Sequence, residues 1–190
     1  MTETTGAGGT ARQDAGERAE RRWGLVAVGI VAVLVFLATF AGVNQATLPQ
    51  ARVETADPKT LHITGEFIES NLGSAVEPDG SVTVRFVGQQ YSFTPQCILV
   101  PANTPITFRG TSADVVHGFL IQKTNVNLTL VPGYISTLGA RFAAPSESLM
   151  PCHEFCGTGH EAMWAHVRVI ERSEFMKLAQ QRRRLDCVEQ

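Results

Sequence analysis

The chain has 190 residues, room for one domain of ordinary size and little more. Its 16 Lys and Arg against 18 Asp and Glu leave a formal charge of −2, so no basic field invites nucleic acid. An apolar share of 44% with 18% charged residues excludes a wholly disordered chain, and four cysteines are too few for a disulfide-built miniprotein.

Residues 1–22 mix Gly, Thr, Ala, Glu and Arg and read as a disordered segment. From Trp23 to Val43 the sequence WGLVAVGIVAVLVFLATFAGV runs for 21 residues without a charge. At about 1.5 Å rise per residue this stretch crosses a hydrocarbon core of roughly 30 Å. A cleaved signal peptide has a shorter apolar core and a small-residue cleavage site, which Ala41-Gly42-Val43 imitates poorly. A buried core helix would show a polar face. The stretch therefore reads as a retained transmembrane helix over residues 23–43. Arg18, Arg21 and Arg22 stand at its start, and only Arg52 and Lys59 carry positive charge between its end and Arg85. The positive-inside rule then keeps residues 1–22 in the cytoplasm and sends the remainder across the membrane.

The exported part is unevenly charged. Residues 44–167 hold 6 basic and 10 acidic side chains, and residues 168–190 hold 6 basic and 4 acidic. An acidic body suits docking of a basic partner, although an ordinary solvated surface has the same composition. Residues 44–60, polar and carrying Pro49 and Pro58, read as a linker. Residues 61–172 then contain short apolar runs rich in β-branched and aromatic side chains. These are Val82 to Val87, Ile98 to Val100, Ile106 to Phe108, Val115 to Ile121, Val126 to Leu130 and Trp164 to Ile170. Pro95, Pro101, Pro105, Gly110, Pro132-Gly133 and Pro145 punctuate them at the spacing of a sandwich or barrel. The reading is all-β: a Greek-key β-sandwich preceded by one N-terminal transmembrane helix. Residues 173–190 form a C-terminal helix and tail, with Ser173 as its N-cap.

Chemistry concentrates at Cys152-His153-Glu154-Phe155-Cys156-Gly157-Thr158-Gly159-His160-Glu161-Ala162-Met163. Two thiols, an imidazole and a thioether stand here as C-x3-C-x3-H-x2-M. Soft sulfur with imidazole selects copper, with zinc second, and the thioether tilts the choice to copper. A Cys152–Cys156 disulfide is the plain competitor, but it leaves His160 and Met163 without a task. Pro151, Gly157 and Gly159 argue against one continuous helix and for a loop folded round an ion. His153 competes as a ligand or faces solvent. One further ligand should come from a strand, and His117 in Asp114-Val115-Val116-His117-Gly118-Phe119 is that candidate. Asp114 supports it, pairs with a partner or is solvated, while His62 and His166 read as surface or packing residues. One cysteine would make a mononuclear blue-copper site; two suffice to bridge a pair of coppers.

These residues resemble subunit II of haem–copper terminal oxidases, the subunit that carries the dinuclear CuA centre. The resemblance rests on D-V-V-H-G-F together with C-H-E-F-C-G-T-G-H-E-A-M and covers nearly the whole chain after the first 20 residues. It implies a cupredoxin-like domain in which Cys152 and Cys156 bridge both coppers. It also implies that His117 and His160 bind one copper each, with Met163 and the backbone carbonyl of Glu154 as axial ligands. The implied function is to accept electrons from cytochrome c, or a small copper protein, and pass them to haem in subunit I for reduction of O2 to water. The single helix looks like the B-type (ba-type) branch, in a plasma membrane of bacterial type. The aromatic run of A-type relatives appears only as Gln89-Gln90-Tyr91-Ser92-Phe93. Glu154 resembles the A-type pattern in which that side chain helps bind Mg²⁺ at the contact with subunit I. A CuA subunit of a nitric oxide reductase would share every ligand, and an anchored copper chaperone or storage module is the alternative of another class. Cys97 and Cys187 are left over; a disulfide between them would pin the tail. Arg182-Arg183-Arg184 reads as a solvated helix end or as a contact to another subunit or an anionic lipid surface.

Overall fold

A computed structural model describes residues 7–45, 53–181 and 184–187. Residues 46–52 of the expected linker, and Arg182 and Arg183 of the basic run, lie outside the described residues. The chain divides into two compact units, Met1–Ala46 and Thr47–Gln190.

The first unit is helix α1, Ala7–Gln45. Its stretch Gly16–Asn44 is long and apolar enough to cross a membrane. The helix thus starts well before Trp23, and residues 7–22, read as disordered from composition, are helical. The reason lies in Ala, Arg, Glu and Gln, which have high helix propensity and extend a helix already nucleated by the apolar run.

The second unit is β-rich. Its strands are β1 Glu54–Thr55, β2 Gly73–Val76, β3 Val82–Gln89, β4 Ser92–Thr94, β5 Cys97–Pro101, β6 Ile106–Ser112, β7 His117–Leu120, β8 Asn127–Leu130, β9 Tyr134–Ala140, β10 Ser146–Pro151 and β11 Trp164–Ile170, and helix α2 spans Arg172–Gln181. One sheet has the order β1-β9-β6-β3-β2, with β4 added on β3; a second has the order β10-β11-β5, and β7 and β8 form a hairpin. The pairs β3–β6 and β5–β11 are parallel, the rest antiparallel. Crossovers of this kind make a cupredoxin-like Greek-key sandwich.

Alternation explains which faces meet. In β11, Ala165, Val167 and Val169 are buried while Trp164, His166 and Arg168 are exposed. Val82, Val84 and Phe86 of β3 and Ile106 and Phe108 of β6 face the same core. Phe119 sits at its centre, stacked on Phe86 with ring centroids 4.1 Å apart and edge-on to Phe93 at 6.1 Å. Full burial of each such ring contributes about 2–3 kcal/mol. Gly110 is required here, because a Cβ would stand 2.3 Å from the Phe86 ring.

The opposite face of the larger sheet carries a smaller apolar cluster of Leu61, Phe67, Leu72 and Val87. Beside it Arg109 grips Glu66 through Nε at 2.6 Å and Nη2 at 2.7 Å, and also pairs with Glu54. Arg85 reaches Glu66 at 2.9 Å. Burial alone would raise the Glu66 carboxyl, but the hydrogen bonds and charges of Arg109 and Arg85 hold it below its ordinary value. Glu54 and Thr55, read from sequence as linker, are therefore a strand paired with β9.

The tail is fastened at three points. Leu185 pairs with Ser74, Arg184 bonds Asn71, and Cys187 forms a disulfide with Cys97. Helix α2 begins at Arg172, so Ser173 is its second residue and not its N-cap; the first turn closes from Phe175 N–H to the Glu171 carbonyl.

Candidate metal centre

Strands β10 and β11 pair antiparallel up to Pro151 opposite Trp164. The chain between them, Cys152 to Met163, leaves the sheet and returns, closed at its neck by Cys152 N–H to the Met163 carbonyl at 3.0 Å. Every residue of the C-x3-C-x3-H-x2-M pattern thus lies in one loop between neighbouring strands. A single 3₁₀ turn, His160–Ala162, tightens its second half. His117 is the first residue of β7, and β7 lies against this loop through His153 N–H to the Gly118 carbonyl at 3.3 Å.

The sequence-singled residues come together. Cys152 Sγ lies 3.8 Å from His117 Nδ1, 3.8 Å from Cys156 Sγ and 3.3 Å from the Glu154 carbonyl oxygen. Cys156 Sγ lies 3.6 Å from His160 Nδ1 and 3.8 Å from Met163 Sδ. His117, Cys152 and Cys156 converge closely enough to hold a metal ion. His117 and Met163 are fully buried, and both thiols nearly so.

The surroundings fix the donor atoms. His117 Nε2 meets Asp114 Oδ1 at 2.8 Å, so its N–H donates there and Nδ1 presents a lone pair towards the sulfurs. Burial works against the Asp114 charge, yet the Gln90 and Val115 N–H groups and His117 keep that carboxyl below its ordinary value. Burial, then the neighbouring Cys152 and Asp114, pushes the Cys156 thiol up to about 11. Two thiolates are costly in such a place without a cation to hold them. Soft sulfur with imidazole and thioether is a donor set that suits copper.

His153 is not directed at the sulfurs. Its Nε2–H donates to Asn127 Oδ1 at 2.5 Å, and its ring rests on Gly118. His62 is exposed, and the His166 side chain is half exposed on β11. From sequence, Gln90 and Tyr91 stand out only as members of the run Gln89-Gln90-Tyr91-Ser92-Phe93, and Gly118 has no task of its own. Tyr91 lies on the backbone of Gly157 and Gly159, where a Cβ would stand 2.5 Å and 2.7 Å from its atoms.

Residues 83–170 match the model of the cytochrome c oxidase subunit II periplasmic domain. A cytochrome c oxidase subunit 2 of Thermus thermophilus is 30% identical over 156 residues, covering 80% of this chain and 92% of the relative. The chain belongs to the cytochrome c oxidase subunit II family. A second Thermus thermophilus cytochrome c oxidase subunit 2 is 31% identical over 133 residues, 70% of this chain and 98% of the relative. Among solved structures, a chain of a heme-copper terminal oxidase dimer superposes with a TM-score of 0.58 at 23% identity, covering 80% of this chain and 99% of that one. As a subunit II, the chain is part of an oxidoreductase complex, and its described residues include a β-domain and one candidate membrane helix.

Proposed function

We propose that this subunit II is the electron-entry subunit of its oxidase, taking electrons from cytochrome c or a small copper protein and delivering them to haem in subunit I. The observation that carries the reading is the approach of two buried thiols, 3.8 Å apart, each with its own imidazole within 4 Å. Cys152, Cys156, His117, His160, Met163 and the Glu154 carbonyl are the groups that would hold a copper pair there. A copper pair held there supplies a one-electron store whose charge is spread over two metals and two thiolates. The chain's own residues keep water from the sulfurs, hold His117 in one tautomer through Asp114, and set the ligands before metal arrives. Such a shell changes little between oxidation states, which suits transfer of electrons and not the handing-on of copper. The exposed Glu154 carboxylate is then free for Mg²⁺ at the contact with subunit I. The basic cluster ahead of the apolar helix places the N-terminus in the cytoplasm and the β-domain outside.

The test is electron spin resonance of the copper-loaded protein. A mixed-valence seven-line pattern is expected in the wild type, and its loss in Cys156→Ser. A four-line mononuclear spectrum, or an unchanged one in Cys156→Ser, overturns the dinuclear reading.

A further inference from the structure

We propose that Gln90 is a positioning residue that ties the His117 segment to the Cys156 segment and so sets the spacing between the two halves of the metal centre. Gln90 follows directly on β3, whose Val82, Val84 and Phe86 are fully buried, so its backbone continues a strand anchored in the core.

From that point it reaches in two directions. Its backbone N–H donates to Asp114 Oδ2 at 2.7 Å, and the other oxygen of the same carboxylate accepts from His117 Nε2–H at 2.8 Å. Its side-chain Nε2 donates to the Cys156 carbonyl at 2.6 Å. The peptide so held leads into Gly157, whose φ of +136° is open to glycine and to few other residues. That peptide adjoins the Cα that bears the thiol, so the bond restrains the backbone from which Cys156 Sγ projects. Tyr91 follows and closes the same contact, its ring on Gly157 and Gly159 and its hydroxyl 3.4 Å from Thr158 Oγ1. One residue therefore connects one end of the ligand set, through Asp114, with the other, through the Cys156 carbonyl. Loss of the amide leaves the backbone bond to Asp114 intact and releases only the Cys156 side.

The spectroscopic part of the test rests on the copper reading above; the alkylation part does not. Gln90→Ala and Gln90→Met, the second keeping the length of the side chain without its donor, are compared with wild type as the full chain in detergent. Metal-free protein is treated with iodoacetamide, and modification of Cys156 is followed by peptide mass spectrometry. Release of one hydrogen bond should speed it about five-fold in both variants. With copper bound, chelator competition should show affinity lowered about ten-fold, with altered hyperfine splitting. Unchanged alkylation overturns the proposal, as does a lower unfolding temperature with wild-type affinity and splitting, which marks a merely structural contact. Faster alkylation in the variants, with no mixed-valence spectrum even in wild type, overturns the copper reading and leaves the tie standing.

Discussion

Gly118 separates the ligand-bearing strand from the ligand loop, and replacing it by alanine measures how tightly the two are seated. A Cβ built there stands 2.7 Å from the Glu154 backbone nitrogen and 2.9 Å from the His153 ring, against about 3.4 Å for ordinary contact. The nearest obstacle is backbone, so Cys152–Glu154 must withdraw from β7 by about 0.7 Å. Overpacking of this kind costs about 1–3 kcal/mol, offset by about 0.4–1 kcal/mol from the lower entropy of the unfolded alanine chain. The net loss is about 0–2.6 kcal/mol, centred on about 1.3 kcal/mol, or roughly 3–5 °C in unfolding temperature at that centre for a unit of this size. The assay is thermal unfolding of the metal-free protein by near-ultraviolet circular dichroism, paired with visible absorption after copper loading. The same displacement draws the Glu154 carbonyl and Cys152 away from His117, so the absorption bands should shift as well. Gly88→Ala is the control, since its Cβ meets the Leu130 side chain at 3.1 Å and the His117 ring at 3.3 Å, a milder contact. Unchanged melting and absorption in Gly118→Ala would refute the seating of the loop on β7.

Removing the tail's covalent tie should destabilise the β-unit strongly. The Cys97–Cys187 bridge closes a sequence separation of 90 residues, which the chain-entropy account values at about 4.5 kcal/mol. Urea unfolding of Cys97→Ser/Cys187→Ser should show most of that loss, and a change below about 1 kcal/mol contradicts the account. The Glu66 carboxyl supplies a pH dependence. Its value is depressed below the ordinary 4.5 in the folded protein, so the stability it contributes is present above pH 4.5 and is lost as pH falls through the folded value. Urea midpoints between about pH 6 and pH 3 should fall more steeply for wild type than for Glu66→Gln; parallel curves count against the Arg109–Glu66 grip.

The candidate site was legible because most of its residues are local. Cys152, Cys156, His160 and Met163 lie within one loop, and their types announce soft-metal chemistry without any knowledge of the fold. His117 was legible through that company, since a lone strand histidine carries little information by itself. Asp114 was ambiguous until the structure put its carboxylate on Nε2. Gln90 and Gly118 were not legible. One is an ordinary turn glutamine and the other a strand glycine, and their importance exists only after residues far apart in sequence are brought together. Strands with strong apolar alternation were read close to their bounds, as with Trp164–Ile170. Strand β9, half exposed along its length, and β1, two residues inside a polar stretch, give no such pattern. Their strand character comes from partners across the sheet.

The four cysteines pose a sorting problem during maturation. An oxidant able to close Cys97–Cys187 meets, in the same chain, two further thiols only 3.8 Å apart. All three complete pairings of four cysteines consume Cys152 and Cys156, so keeping these two thiols free requires oxidation to stop at the single Cys97–Cys187 bond. The high affinity of the Cys156 thiol for its proton slows its oxidation, because attack on a disulfide or oxidant begins from the thiolate. Burial thus protects Cys156 chemically while the tail is being locked. On the copper reading proposed above, metal delivery then becomes a race against slow oxidation of the reduced thiols.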